Sequence, residues 1–286
     1  MRLSVAKNIG FCSGVRRAIE IIERLVQENK KNIFCLGSVI HNELLQQRLK
    51  QKGIITVDSL KDIKKPAYII LPSHGVPPTN IKEAKRKGLK IVDVTCPNVS
   101  SLQRVCKKLR QEKYQLIILG DNNHPEIRAL LGIAAEAVVI SNASEIELLK
   151  LDSRIAIVSQ TTQSIENFLV LVNKFFEMRE KIEKIKELRI FNTICLDNIS
   201  RQKEVRELAN NNDAVFVIGS YSSANTKRLF NISRMINPNS FLIRDYHDIS
   251  DKIKLKFKKI GIISGASTPD WLVDEIIRKI KSKKGE

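Results

Sequence analysis

The sequence is poor in several features that would each indicate a particular class of protein. No apolar stretch approaches the roughly 18–20 residues needed to cross a bilayer, which argues against a membrane protein. The five cysteines are odd in number, widely spaced and without a Cys-x-x-Cys pair, so neither a disulfide framework nor a zinc ribbon is indicated. Aromatic residues are only 5% of the chain, which gives little support to a base-stacking surface. The N-terminus has no sustained apolar core and no small-residue cleavage site, so we expect a cytoplasmic protein.

What remains is an ordinary globular composition with a large excess of positive charge. The 286 residues are 43% hydrophobic and 28% charged, and 49 Lys and Arg against 31 Asp and Glu leave a formal net charge of +18. This excess fits an anionic small substrate, an acidic protein partner or nucleic acid, and it also fits a merely well-solvated, lysine-rich surface. Because aromatic residues are scarce, we favour an anionic substrate over nucleic acid.

The order of apolar and polar segments predicts an α/β fold with largely parallel sheets. Short apolar runs alternate with small or polar loops and with amphipathic helices, of which the stretch 164–188 is the longest. The predicted strands are short segments of four or five mostly apolar residues: Arg2–Ala6, Ile33–Leu36, Ala67–Leu71, Ile91–Val94, Leu116–Leu119, Ile155–Val158, Ile190–Ile194, Val215–Ile218 and Ile260–Ile263.

Three cysteines stand at equivalent places, each between a predicted strand and a helix. They are Cys12, Cys96 and Cys195, spaced by about the length of a small domain, which indicates three related modules. Ligands of open α/β sheets gather at the carboxyl ends of strands, and a helix N-terminus favours the thiolate that binds metal. Cys35, inside a strand, and Cys106, on the apolar face of a helix, are predicted to be core residues.

Polar side chains follow the other predicted strands. His41, His74 and His124 each come shortly after a strand, whereas His247 has no such context and is predicted to lie on the surface. In the last third, Gly, Ser and Asn residues precede helices around Ser223 and Ser267, which suits phosphate recognition but also suits ordinary turns and caps.

Three cysteines without a fourth fit an iron–sulfur cluster with one iron left open better than a structural zinc, which typically takes four ligands. Beside a phosphate-binding loop, such an iron implies redox chemistry on an anionic substrate. The residues alone do not name that substrate.

Several short strings, taken together and in order, carry a resemblance to a known family. They are GFCSGVRRA around Cys12, IHN at His41, SHGV at His74, DVTCP at Cys96, NHPE up to Glu126, SQTTQS around Thr161, NTIC at Cys195 and SGASTPDW around Ser267. The chain resembles the LytB (IspH) family, the 4-hydroxy-3-methylbut-2-enyl diphosphate reductases of non-mevalonate isoprenoid biosynthesis, over essentially its whole length.

The resemblance implies a cloverleaf of three α/β modules with pseudo-threefold symmetry around a central cluster. We place the modules at 1–96, with Cys12, His41 and His74; at 97–192, preceded by Cys96; and at 193–286, with Cys195. The second module holds His124, Glu126 and Thr161, and the third holds Ser223, Asn225 and Ser267.

The resemblance also implies a role for each residue of the site. Cys12, Cys96 and Cys195 would each ligate one iron of a single four-iron four-sulfur cluster whose fourth iron takes the substrate hydroxyl. Glu126 would deliver the proton that turns this hydroxyl into water, with Thr161 in its hydrogen-bond relay. An external reductant, usually an acidic ferredoxin or flavodoxin, is implied as a partner. The diphosphate would be held by seven residues: His41, His74, His124, Ser223, Ala224, Asn225 and Ser267.

The chain departs from the family pattern in two places. Ala224 stands where the family usually has the second serine of Ser-Ser-Asn, which removes one hydroxyl from the diphosphate loop. Asp197 and Asn198 stand where Ala-Thr is usual, and these polar groups are expected to alter the cluster's potential or proton path. Since every ligand and the acid are present, we expect an active enzyme, with weaker substrate affinity as the anticipated cost.

Two other hypotheses remain open at this stage. A divergent three-cysteine iron–sulfur enzyme acting on another anionic substrate would explain the cysteines but not the three histidines. A basic iron–sulfur protein that binds nucleic acid would predict strongly salt-dependent binding, and its function would not need Glu126.

Overall fold

The structure, a computed structural model, describes residues 1–249 and 257–281. Its strands are β1 (Arg2–Val5), β2 (Ile33–Leu36), β3 (Ile54–Val57), β4 (Tyr68–Leu71), β5 (Lys90–Asp93), β6 (Gln115–Leu119), β7 (Val138–Ile140), β8 (Arg154–Ser159), β9 (Glu187–Ile190), β10 (Ala214–Ile218), β11 (Ser240–Ile243) and β12 (Lys259–Ser264). Its α-helices are α1 (Ser13–Gln27), α2 (Glu43–Gln51), α3 (Pro78–Arg86), α4 (Pro97–Gln111), α5 (Pro125–Ile133), α6 (Ile165–Glu177), α7 (Arg179–Ile182), α8 (Leu196–Asn211), α9 (Ala224–Ile236) and α10 (Asp270–Lys281). Two short 3₁₀ helices, Ala143–Leu148 and Tyr246–Asp248, complete the order.

The strands form three four-stranded sheets, ordered β1-β12-β10-β11, β3-β2-β4-β5 and β7-β6-β8-β9. Every strand pair in them is parallel. The predicted fold class, α/β with largely parallel sheets, is therefore confirmed. Since parallel strands end at the same edge of a sheet, the loops after these strands are where site residues gather.

The inner strands of the sheets are almost entirely apolar because helices cover both faces of a parallel sheet. All five residues of β10 are buried, and so are the last five of β12. The edge strands are more exposed: only one residue of β3 is buried and none of β1.

The contacts divide the chain into two compact units. The first consists of 1–16, 40–48 and 196–286 and contains the β1-β12-β10-β11 sheet; the second consists of 17–39 and 49–195 and contains the other two sheets. In the first unit β1, which opens the predicted first module, pairs with β12, with Leu3 opposite Ile260. The partner of an edge strand is not encoded in its own pattern. The exact ranges of the three modules stay a prediction.

One predicted boundary is wrong. The stretch 164–188 is not one long helix but α6, α7 and the start of β9, and the strand expected at Ile190–Ile194 lies earlier, at Glu187–Ile190. Arg154 of β8 pairs with Glu187 across the strands, with Nε 3.0 Å from Oε2, so charged residues that suggested a helix stabilise a sheet edge. The ladder between β8 and β9 stops after Ile190, because the backbone N–H of Ser159 donates to the side-chain hydroxyl of Thr193 at 2.8 Å.

Candidate active site

The Cys12 loop joins β1 to α1 in the first unit, and its shape depends on glycine. Gly10 has φ +75°, and a Cβ there would lie 1.9 Å from Oδ1 of Asp270, so a side chain fits neither the backbone nor the space. The backbone N–H of Cys12 donates to the carbonyl of Ala266 at 3.0 Å. The Cys12 sulfur accepts from the N–H of Val15, 3.5 Å away in the first turn of α1. The contact places the Cys12 sulfur at the N-terminus of α1, the kind of position at which cysteines bind metals.

A buried ion pair supports the same loop. Arg201 is 1% exposed, and its guanidinium donates to the carbonyls of Gly10, at 3.1 Å, and Ser264, at 3.0 Å. Its Nε donates to the carboxylate of Asp197 at 2.8 Å. One of the two departures from the family pattern therefore has a structural partner: Asp197 balances the charge of the arginine that holds the Cys12 loop. Asn198, next to it, is buried in α8.

The loop between β10 and α9 has the geometry of an anion site. The hydroxyl of Ser223 caps α9 by accepting from the N–H of Thr226 at 3.3 Å. Ser267 lies beside it, and its hydroxyl is 3.3 Å from both the Ser223 hydroxyl and the carbonyl of His41. Three residues singled out in the sequence, far apart in the chain, are therefore brought together at one helix N-terminus, where backbone N–H groups and the helix dipole favour an anion.

Asn225 is the member of this loop with the most direct implication for a ligand. It is buried, 4% exposed, and within the described part of the chain neither its Nδ2 nor its Oδ1 has a hydrogen-bond partner. A buried unpaired polar group costs about 1–3 kcal/mol. A ligand bound at this helix N-terminus would supply a partner for the amide. Ala224, the first residue of α9, brings no side-chain donor.

Sequence reasoning missed Glu43, at the start of α2 in the same unit. Burial favours its neutral form, but the hydroxyls of Ser220 and Ser222 and the charge of Arg244 outweigh this and lower the pKa of Glu43. The carboxylate thereby holds Ser220 and Ser222, two serines of the loop that leads to Ser223. Its position two residues after His41 was the available signal, but a lone surface-type glutamate is not distinctive.

The second unit contains the other two candidate ligand cysteines. Cys96 is the N-cap of α4 with Pro97 in the first helical position, as predicted, and its N–H donates to the carbonyl of Ser73 at 2.9 Å. Cys195 directly precedes α8, and its N–H donates to the carbonyl of Thr161 at 3.0 Å. Its sulfur is 3.1 Å from the side-chain nitrogen of Asn98, a residue that the sequence analysis did not single out.

Glu126 and Thr161 form a buried proton site. Glu126 is 2% exposed and accepts two hydrogen bonds of 2.8 Å from Thr161, one from its backbone N–H and one from its hydroxyl. Burial raises the pKa of Glu126 to about 7, although both Thr161 contacts work in the opposite direction. A carboxyl with this pKa can hold and release a proton near neutral pH, which is the requirement for a general acid.

Two histidines lie in the same unit. Nδ1 of His124 accepts from the N–H of Glu126 at 3.1 Å and caps α5, so in the neutral ring the proton is on Nε2. The two ring nitrogens of His74 lie 2.9 Å from the carbonyl of Gly75 and 3.1 Å from that of Ser38. Both rings are thus oriented by the backbone. His247 is exposed, as predicted.

The five cysteines separate into two groups. Cys35 and Cys106 are fully buried, and burial raises the pKa of each thiol to about 12, which confirms them as inert core residues. Cys12, Cys96 and Cys195 are partly exposed at helix starts. Within 1–249 and 257–281, no three His, Cys, Asp or Glu side chains are grouped as ligands of one metal ion. A cluster suits this donor set, because each of its irons needs only one thiolate.

Comparison with known proteins assigns the family. The chain matches the LytB protein family over residues 3–281. The chain belongs to this family. It is 37% identical over 284 residues to the 4-hydroxy-3-methylbut-2-enyl diphosphate reductase of Campylobacter fetus subsp. fetus (strain 82-40), covering 99% of this chain and 98% of that protein.

Two solved structures of family members agree with this assignment. A structure of (E)-4-hydroxy-3-methyl-but-2-enyl diphosphate reductase, described as the terminal enzyme of the non-mevalonate pathway, has a TM-score of 0.72 and 33% identity over 98% of this chain and 99% of that one. The E-1-hydroxy-2-methyl-but-2-enyl-4-diphosphate reductase of Plasmodium falciparum has a TM-score of 0.88 and 28% identity over 97% of this chain and 87% of that one. Among the described residues, no helix of this chain is long and apolar enough to span a membrane.

Proposed function

We propose that this LytB-family chain is a 4-hydroxy-3-methylbut-2-enyl diphosphate reductase. It removes the hydroxyl of (E)-4-hydroxy-3-methylbut-2-enyl diphosphate with two electrons and two protons and forms isopentenyl diphosphate, dimethylallyl diphosphate and water. This is the last step of non-mevalonate isoprenoid synthesis. The observation that carries the proposal is the buried Glu126 carboxyl, whose pKa is raised to about 7 in a chain that resembles these reductases over its full length.

Membership of the family implies an iron–sulfur cluster, and the chain has a fitting donor set for one. Cys12, Cys96 and Cys195 would hold a four-iron four-sulfur cluster through one thiolate each. The partly exposed positions of these thiols, in contrast to the buried Cys35 and Cys106, support the assignment. When bound, the cluster supplies electrons and a Lewis-acidic open iron for the substrate hydroxyl.

The diphosphate is held by groups that donate hydrogen bonds. Ser223 and Ser267, with the amide of Asn225, would bind it at the N-terminus of α9, where the unpaired Nδ2 donor of Asn225 supports an anion as its missing partner. His41 and His124 would add imidazole donors, His74 would lie beside them with both ring nitrogens turned to backbone carbonyls, and Ala224 would contribute only its backbone. The lost hydroxyl at Ala224 is worth about 1.5–3 kcal/mol if nothing replaces it.

Glu126 provides the proton for the leaving group. Hydroxide leaves poorly, so protonation of the departing oxygen by a neutral carboxyl lets it leave as water. The backbone N–H and hydroxyl of Thr161 orient the two carboxyl oxygens before the reaction, and they stabilise the carboxylate after the proton has gone. The external reductant is an acidic protein such as a ferredoxin or flavodoxin, for which the net charge of +18 provides electrostatic attraction.

The test is anaerobic turnover of the hydroxylated diphosphate by reconstituted protein with a strong artificial reductant. We expect both isoprenoid diphosphates from the unaltered chain and from Cys35→Ala, but none from Cys12→Ser. Absence of product from unaltered protein with an intact cluster would reject the reductase. Turnover by Cys12→Ser equal to that of the unaltered chain would reject the ligand assignment.

A further inference from the structure

Asn98 carries a contact that the proposed chemistry has not used. Its side-chain nitrogen lies 3.1 Å from the sulfur of Cys195, although the two residues are 97 positions apart. An amide N–H is a donor and a thiolate is an acceptor, so the contact is a hydrogen bond onto a proposed cluster ligand.

The placement of Asn98 follows from the start of α4. Cys96 is the N-cap, Pro97 the first helical residue and Asn98 the second, so one turn of helix bears one candidate ligand and the donor to another. The backbone of Cys195 is fixed from a different direction, since its N–H donates to the carbonyl of Thr161 at 3.0 Å. The backbone of Cys195 is thus held where its sulfur lies within hydrogen-bond distance of Asn98.

A hydrogen bond to a ligand sulfur has a defined effect on an iron–sulfur cluster. Reduction adds one electron and makes the cluster and its thiolates more negative by one charge. A donor N–H stabilises that added charge, so hydrogen bonds to the sulfurs set the reduction potential. Removing the donor therefore destabilises the reduced form more than the oxidised form.

We infer that Asn98 is a positioning residue whose amide donates to the Cys195 sulfur and makes the cluster easier to reduce. The inference rests on the proposed function, because it needs a cluster at Cys195. It adds a residue, Asn98, that acts on electron uptake through Cys195 rather than on the substrate.

The experiment is an anaerobic redox titration of the reconstituted cluster, followed by electron paramagnetic resonance, without substrate. Three variants are compared with the unaltered chain: Asn98→Leu, which removes the donor; Asn98→Ala, which removes the donor without adding bulk or charge; and Ser101→Leu, which adds the same apolar side chain at an exposed position of α4. We expect both Asn98 variants to shift to more negative potential, with an oxidised-to-reduced ratio about tenfold higher at a fixed potential, or 59 mV for one electron. Ser101→Leu should titrate like the unaltered chain.

Equal midpoints for all four proteins would overturn the inference. So would equal shifts in Ser101→Leu and Asn98→Leu, since surface apolarity would then be the cause. If Asn98→Leu retains no iron, Asn98→Ala is the deciding protein; if neither assembles while Ser101→Leu does, the contact serves assembly and the inference as stated is wrong. An unaltered chain that assembles no cluster would instead reject the proposed function itself.

Discussion

Glu126 and Asn225 occupy the same position in two different helices and are bonded in opposite ways. Each is the second residue of its helix, after an N-cap that is itself a site residue, His124 before α5 and Ser223 before α9. Each is nearly fully buried. Glu126 accepts two hydrogen bonds from Thr161, whereas the Asn225 amide has no partner within the described residues.

The difference separates a side chain whose hydrogen-bond partners belong to the protein from a side chain whose partner is a ligand. A buried acid must be oriented before the substrate arrives, so its partners belong to the chain. A binding amide has to exchange its partner at every turnover, so it is left unpaired at a cost in stability. The comparison predicts that substitutions at the two positions have different consequences.

The largest effect is expected from Glu126→Gln. Glutamine keeps the volume and can still bond to Thr161, but it cannot give up a proton at neutral pH. We expect turnover to fall by roughly 10²–10⁴-fold while the iron content stays unchanged, since that is the usual contribution of a general acid. Glu136→Gln, at an exposed glutamate of the same unit, should retain full activity. Normal turnover in Glu126→Gln would show that the proton comes from elsewhere.

The second-largest effect is expected at Asn225, where a substitution should weaken substrate binding without lowering stability. Asn225→Leu removes an unpaired buried amide, so the melting temperature of the ligand-free protein should not fall, while KM should rise about 10–100-fold through loss of a bond to a charged group. The matched control is Asn237→Leu in the same unit, because Asn237 is also buried but donates to the carbonyls of Ala209, at 3.2 Å, and Asn212, at 2.9 Å. That variant should lower the melting temperature. A comparable loss of stability in Asn225→Leu would contradict the distinction.

Asp197, like Glu126, has its hydrogen-bond partner within the protein. It is the second residue of α8 and accepts from the buried Arg201 at 2.8 Å. Asp197→Asn should lower the free energy of unfolding by about 1.5–3 kcal/mol, because a buried guanidinium loses its charge partner. Glu23→Gln breaks the exposed pair with Lys52 and should cost under about 1 kcal/mol. If urea unfolding shows the same loss of unfolding free energy for both variants, Asp197 is not a stabilising partner of the buried Arg201.

The smallest effect is a displacement of the pH profile. The Thr161 hydroxyl lowers the pKa of Glu126, so Thr161→Val should raise it above about 7. Since the acid acts when protonated, the high-pH decline of kcat should move upwards, by roughly one pH unit for the loss of one hydrogen bond. Thr162→Val changes a hydroxyl that bonds instead to Gln160 and should leave the profile in place. A downward shift in Thr161→Val would contradict the assigned role of the hydroxyl.

The sequence predicted the inner strands well and the sheet edges poorly. Strands such as β10 and β8 are continuous apolar runs because both faces are buried, and these were recognised. The three strands that were not recognised, β3, β7 and β11, are all edge strands of three or four residues. A short, half-exposed edge has no strong period, and its partner lies far away in the chain.

The site divides in the same way. The cysteines at helix starts and the pair Glu126 and Thr161 were predicted from residue type, position and family strings. The structure adds the two hydrogen bonds between Glu126 and Thr161. Asn98 and Glu43 were missed because an asparagine or a glutamate on a helix surface is common. Asn98 did have a signal, since it is the second residue of its helix, as Glu126 and Asn225 are.

The most direct test of the account is an infrared titration of the Glu126 carboxyl, taken as the difference between the unaltered protein and Glu126→Gln. We expect a protonated carboxyl band that disappears with a midpoint near pH 7, because burial outweighs the two Thr161 hydrogen bonds. A carboxylate that is already ionised at pH 5 would contradict it, since Glu126 would then have no proton to give to the leaving oxygen at neutral pH.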